Sequence, residues 1–151
     1  MEVNIVQREE IIVGGFSTET TLENSKRDTD ILFNDFYNYK MELLNNFAKN
    51  TKEYYGFIWY TKLHESYKYL IGQEILDQSE SFDIRIVQKG LYAYSKFPEG
   101  YDGIKAWTDF YSIGIPEAGY KPVEINDIAF EYYPNGLNGE YELWSLVEKN
   151  V

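Results

Sequence analysis

Glu131 stands alone among rings in the run Phe130-Glu131-Tyr132-Tyr133, and that is the pattern in this chain best suited to chemistry. Strand alternation puts Ile128, Phe130 and Tyr132 on one face and Ala129, Glu131 and Tyr133 on the other. The apolar pair Ile128 and Phe130 is expected against a helix, so Glu131 is expected to point the opposite way, into a cleft. Tyr141 follows ten residues later and is close enough, across a hairpin, to flank the carboxylate. Phe57 lies 74 positions before Glu131, within the aromatic run Tyr54-Tyr55-Gly56-Phe57-Ile58-Trp59-Tyr60. A carboxylate facing such a wall suits a cationic, apolar ligand, because charge supplies attraction while rings supply cation–π contact and dispersion. At about 0.5–2 kcal/mol per ring, several rings and one acid reach micromolar affinity without close shape matching. The competing reading places Glu131 at a solvated rim, accepting a backbone hydrogen bond. Tyr92 and Tyr94 share one side of their strand and serve either a pocket or ordinary sheet packing. Trp59 could present either face to the cleft, and Trp107 falls on a helical apolar stripe that favours core packing.

Other chemistries lack their parts. The single histidine, His64, sits beside Glu65 in an expected hairpin loop and reads as a solvated residue. One histidine with no cysteine cannot build a usual zinc site, and no serine elbow accompanies it for a triad. The scattered acids lack metal-loop spacing, and Gly14-Gly15 lacks the frame of a phosphate loop. No cofactor is expected.

Composition narrows the partners. The chain has 151 residues, 25 of them acidic and 14 basic, for a net charge of −11. That balance argues against direct nucleic-acid binding, which needs clustered Lys and Arg. It leaves room for a basic protein partner, or for nothing beyond solubility. No apolar stretch approaches membrane-spanning length, and no signal peptide is evident, so the expectation is a cytoplasmic protein with no membrane role.

The elements that must position Glu131 repeat. Ile5-Val6-Gln7-Arg8 returns as Ile86-Val87-Gln88-Lys89, and Asp35-Phe36-Tyr37 returns as Asp109-Phe110-Tyr111. Residues 4–20 read as one long strand bent at Gly14-Gly15. Thr29 or Asp30 is expected to cap a helix whose stripe is Leu32, Phe33, Phe36, Tyr37, Met41, Leu44 and Phe47. Strands follow over 54–61 and 67–75. Residues 82–97 mirror the first strand, Asp102 caps a short helix ending at Gly114, and a hairpin spans 125–133 and 141–147. The expected fold is α+β: two tandem βαββ halves, about 1–78 and 79–151, in one domain, with a pseudo-twofold cleft where the inner faces of two sheets meet.

This pattern resembles the gyrase-inhibitor-like small-molecule-binding family, also described as the AraC-type or bacterial transcription activator effector-binding domain. The resemblance covers essentially the whole chain. It is carried by Val13-Gly14-Gly15, Tyr69-Leu70-Ile71-Gly72-Gln73-Glu74, Lys89-Gly90-Leu91-Tyr92-Ala93, Ala106-Trp107, Pro116-Glu117-Ala118-Gly119-Tyr120, Phe130-Glu131-Tyr132-Tyr133 and Tyr141-Glu142-Leu143-Trp144. It implies the tandem SHS2-type architecture and a glutamate at the base of a drug-binding cleft, a place that Glu131 matches. Tyr141 and Tyr92 match aromatics that line that cleft in relatives. The implied function is a stand-alone binding module for amphipathic, cationic, aromatic compounds. The alternatives it carries are a hydrolase of strained electrophiles using Glu131 and Tyr141, and an acidic protein-interaction module like the gyrase inhibitor. Relatives that regulate transcription are fused to a helix-turn-helix domain, and none is expected here.

Overall fold

The structure, a computed structural model, describes residues 1–62, 65–77, 79–123 and 129–151. His64 and Ile128 lie outside the described residues. The strands are β1 (Asn4–Arg8), β2 (Ile11–Thr20), β3 (Tyr54–Lys62), β4 (Ser66–Glu74), β5 (Asp83–Val87), β6 (Gly90–Phe97), β7 (Tyr120–Pro122), β8 (Ala129–Tyr133) and β9 (Tyr141–Lys149). They form one curled antiparallel sheet in the order β1-β6-β9-β8-β3-β4-β2-β5, with β7 added alongside β9.

The long first strand breaks at Glu9-Glu10, where two adjacent acids both lie exposed, and not at the glycines. Its register survives the break: Arg8 faces Gly90, and Ile11 faces Val87. Gly15 sits instead opposite Gly72, where a β-carbon would collide with the Ile71 carbonyl, so the glycines let β2 and β4 approach closely.

The first helix begins earlier than expected, as α1 (Ser25–Asp35). Neither suggested cap is available to cap: the Thr29 hydroxyl donates back to the Ser25 carbonyl, and Asp30 pairs with Lys26. The helix passes through a π turn (Phe36–Lys40) into α2 (Met41–Asn45). In the second helical segment Asp102 does cap α3 (Gly103–Asp109), accepting the Ile104 N–H at 3.2 Å. That helix too passes through a π turn (Phe110–Gly114), and it continues beyond Gly114 into α4 (Ile115–Glu117). Each π turn opens on a fully buried phenylalanine, Phe36 or Phe110, taken from the repeated Asp-Phe-Tyr phrase.

Packing decides which face is which. Both helical segments cover the same face of the sheet. Leu32, Phe36 and Leu44 bury against Tyr54, Tyr69 and Ile71, while Ala106, Phe110 and Ile115 bury against Phe97, Tyr141 and Leu143. The sheet's other face curls onto its own core of Val13, Tyr55, Phe57, Leu70, Val87, Tyr92, Phe130, Trp144 and Leu146. This corrects two expectations. Because β3 and β8 pair edge to edge, Tyr54 opposite Tyr133 and Gly56 opposite Glu131, there is one sheet and not two facing ones. Phe130 is buried on the helix-free face, so Glu131 points toward the helices.

Candidate functional site

Glu131 sits mid-sheet, on β8 and between the two helical segments. Register brings it opposite Gly56 on β3 and Leu143 on β9. Since β8 alternates, Tyr133 stands beside it on the same face, and Tyr141 projects from β9 with its ring centroid 5.9 Å from that of Tyr133. Glu131 Oε1 accepts the Tyr69 hydroxyl at 2.7 Å and the Tyr133 hydroxyl at 2.9 Å. Oε2 accepts the indole N–H of Trp107 at 3.3 Å. Sequence reasoning had assigned neither Tyr69 nor Trp107 to this acid.

Tyr69 reaches Glu131 across Gly56. A β-carbon at position 56 would lie 2.5 Å from Glu131 Oε1 and 2.6 Å from Tyr69 Oη. Glycine is therefore the residue that lets hydroxyl and carboxylate meet. Its position inside the aromatic run 54–60 was the available signal, since a glycine within a strand marks a close approach.

The carboxylate's partners are hydroxyls and an indole. Among the described residues, each Lys or Arg ion pair lies elsewhere, so the negative charge of Glu131 is solvated by neutral dipoles. The tyrosines register it. Burial, and after it the Glu131 charge, raise Tyr69 well above the usual phenol range and raise Tyr133 likewise. The same two causes push Tyr141 up to about 12. All three hold their protons at any ordinary pH, which keeps Tyr69 and Tyr133 as donors.

A cleft of about 550 Å³ opens onto this group, lined by Glu131, Tyr133, Tyr141, Tyr101, Glu99 and Leu137. A second, apolar hollow of about 270 Å³ lies on the same face, lined by Ile58, Tyr60, Trp107, Tyr111 and Ala129. A larger hollow, about 740 Å³, is separate and sits against Met1, Tyr94, Lys96 and Phe97. Its two acids, Glu2 and Asp109, are not gathered among donors as Glu131 is, so size does not mark the site here. Among the described residues, no group of three or more His, Asp or Glu side chains is placed to hold a metal ion, and no helix is long and apolar enough to cross a membrane.

The remaining sequence candidates fall on the helix-free face. Phe57 and Tyr92 are buried in its core, and the Tyr92 hydroxyl donates to the Gln88 carbonyl at 2.8 Å. Trp59 lies at the edge of that core under the guanidinium of Arg85, 3.8 Å from ring centroid to Cζ. The alternation of β3 separates them from Glu131: Tyr55, Phe57 and Trp59 share one face, while Tyr54, Gly56, Ile58 and Tyr60 share the other.

Comparison with known proteins agrees with this architecture. The family model of the GyrI-like small molecule binding domain matches residues 1–144. No curated protein matches the chain. Among solved structures, SAV2435 bound to tetraphenylphosphonium is similar over 98% of this chain and 94% of its own, with a TM-score of 0.70 and 14% identity. The EcmrR C-terminal domain is similar over 99% of this chain and 98% of its own, with a TM-score of 0.64 and 13% identity. A hydrolase from Listeria innocua covers 97% of this chain and 92% of its own, with a TM-score of 0.56 and 8% identity. At these identities the similarity is one of fold.

Proposed function

Because the chain belongs to the GyrI-like small-molecule-binding family, we propose that it binds an amphipathic organic cation in the cleft beside Glu131. The observation that carries this reading is a half-buried carboxylate held by three neutral donors, open to a cleft with Tyr133 and Tyr141 on its wall. Three of its roughly four acceptor positions are occupied, which leaves charge available but little capacity for further hydrogen bonds. Such a site favours a cation without N–H donors, a quaternary or delocalised one, over a primary ammonium. The phosphonium carried by the similarly folded SAV2435 is a cation of that kind. Tyr133 and Tyr141 would supply ring contact. Phe57, Tyr92 and Trp59 act in this reading as the packed floor behind the sheet rather than as contacts.

We also infer that the fold is two βαββ units, about 1–78 and 79–151, related by an axis through the β3–β8 seam. What supports this is the strand order, in which β1-β6-β9-β8 is matched by β5-β2-β4-β3 read outward-in, and the recurrence of a π turn at Phe36 and Phe110. The two units would then exchange their first strands, β1 pairing with β6 and β5 with β2. The seam where the units meet carries Glu131 and Gly56.

Isothermal titration with tetraphenylphosphonium tests the ligand reading. Two unit charges about 5 Å apart interact by about 3 kcal/mol at an effective dielectric of 20, and partial exposure reduces that to about 1–2 kcal/mol. Glu131→Gln should therefore weaken binding about tenfold. Glu142→Gln, on the opposite face beside Trp144, should leave it within twofold. Equal weakening by the two variants would remove the assigned carboxylate from the reading.

A further inference from the structure

The cleft beside Glu131 and the apolar hollow beyond it share one wall. Glu131 lines the first, and Ala129, two residues away on the same face of β8, lines the second, a separation of about 7 Å along the strand. On β3 the same face continues from Gly56 to Ile58 and Tyr60, both of which line the second hollow. What stands between the two is the indole of Trp107, hydrogen-bonded to Glu131 on one side and lining the apolar hollow on the other.

That wall is the weakest member of the group. The Trp107 contact at 3.3 Å is longer than either tyrosine bond to the same carboxylate, and longer than usual for N–H···O. Trp107 is half-buried and is carried by a seven-residue helix whose backbone turns to π geometry at Phe110. Its ring stacks on Tyr111, one of the π-turn residues, with centroids 5.5 Å apart and planes 19° apart. Interruptions of this type recur at functional sites.

We infer that Trp107 is a movable partition, and that the ligand spans both hollows, with its cationic head beside Glu131 and an apolar arm beside Ile58, Tyr60 and Tyr111. The inference rests on the cation-binding reading and sharpens it to a chemical class: monocations bearing an extended alkyl or aryl arm. The two hollows suit the two ends of such a molecule. One carries Glu131 and Glu99, whereas among the described residues no carboxylate lines the other. The indole N–H provides Oε2 with a partner, and a cation arriving there replaces that dipole with a charge.

The test is a series of n-alkyl-triphenylphosphonium ions, methyl to octyl, titrated calorimetrically into the full chain. Complete burial of a methylene is worth about fourfold in affinity, so a partly open hollow should give about two- to threefold per methylene until the arm fills it. Ile58→Ser should flatten the series, its octyl member falling to the affinity of the methyl compound. Indole emission should shift with the longer ions and lose that shift in Trp107→Phe, because Trp59 and Trp144 lie on the other face. Wild-type affinities within twofold from methyl to octyl, or an undiminished gradient in Ile58→Ser, overturn the spanning mode while Glu131-dependent binding of the methyl ion keeps the simpler reading. Failure of every phosphonium to bind overturns both.

Discussion

Gly56→Ala adds one methyl group, and the geometry around it fixes the consequence. The new β-carbon would lie 2.5 Å from Glu131 Oε1 and 2.6 Å from Tyr69 Oη, with Tyr69 Cζ at 3.3 Å. Position 56 is buried and paired on both sides, to Glu131 and to Ile71, so the backbone cannot retreat. The Tyr69–Glu131 hydrogen bond must open. A bond to a charged acceptor is worth about 1.5–3 kcal/mol, and overpacking a filled site costs about 1–3 kcal/mol. Alanine returns about 0.5–1 kcal/mol through its better strand propensity. The net expectation is destabilisation by about 1.5–5.5 kcal/mol, which in a chain of this length lowers Tm by about 3–22 °C. Thermal and urea denaturation measure it. The coupling is sharper still: in a Tyr69→Phe background one of the two colliding atoms is gone, so the same substitution should cost measurably less. Should Gly56→Ala prove as stable as the parent, or its cost be identical in both backgrounds, the argument that glycine is there to admit the tyrosine hydroxyl is refuted.

Alkaline titration gives a second expectation. Burial pushes Tyr55, Tyr92 and Tyr141 from 10.0 up to about 12, so above pH 10 the unfolded chain releases protons that the folded chain retains. Folding stability from these groups is complete below pH 10 and is lost as pH rises toward 12; urea midpoints at pH 8, 10, 11 and 12 should fall in that order, and a flat profile would contradict it. Tyr133→Phe removes one of three donors from Glu131 while keeping the ring, so stability should drop by about 1–2 kcal/mol while phosphonium affinity changes less than threefold. A tenfold affinity loss in that variant would mean that the hydroxyl itself meets the ligand.

The seam was partly legible from sequence and partly not. Alternation along residues 129–133 correctly put Glu131 with Tyr133 and against Phe130, because period two is a property of the strand itself. It could not say which face the helices cover. Phe130 reads as helix-facing because it is apolar, yet here both sheet faces are apolar: one packs helices, and the other curls onto Tyr55, Tyr92 and Trp144. The same ambiguity lets Phe57, Tyr92 and Trp59 read as ring neighbours of Glu131, whereas they lie on the sheet's other face. Trp107 was invisible for a different reason. Its place on an apolar helical stripe is real, and only the tertiary meeting of α3 with β8 turns its N–H toward the acid. The break at Glu9-Glu10 was hidden by the glycines nearby, which suggest a bend where the structure uses them for close strand approach. The repeated Asp-Phe-Tyr phrase, by contrast, marks a local event, the start of a π turn, and so could be found by inspection.

In the proposed binding mode the charge of Glu131, and not merely the shape of the surrounding rings, selects the ligand. Tetraphenylphosphonium and tetraphenylborate share size and form and differ in the sign of their charge. Separate titrations of the two ions, read by calorimetry on the parent chain and on Glu131→Gln, isolate the electrostatic contribution. The parent should bind the phosphonium and show no measurable affinity for the borate, and the variant should narrow that gap by about tenfold. Comparable binding of both ions to the parent, or a gap that Glu131→Gln leaves intact, would rule out selection by the Glu131 charge.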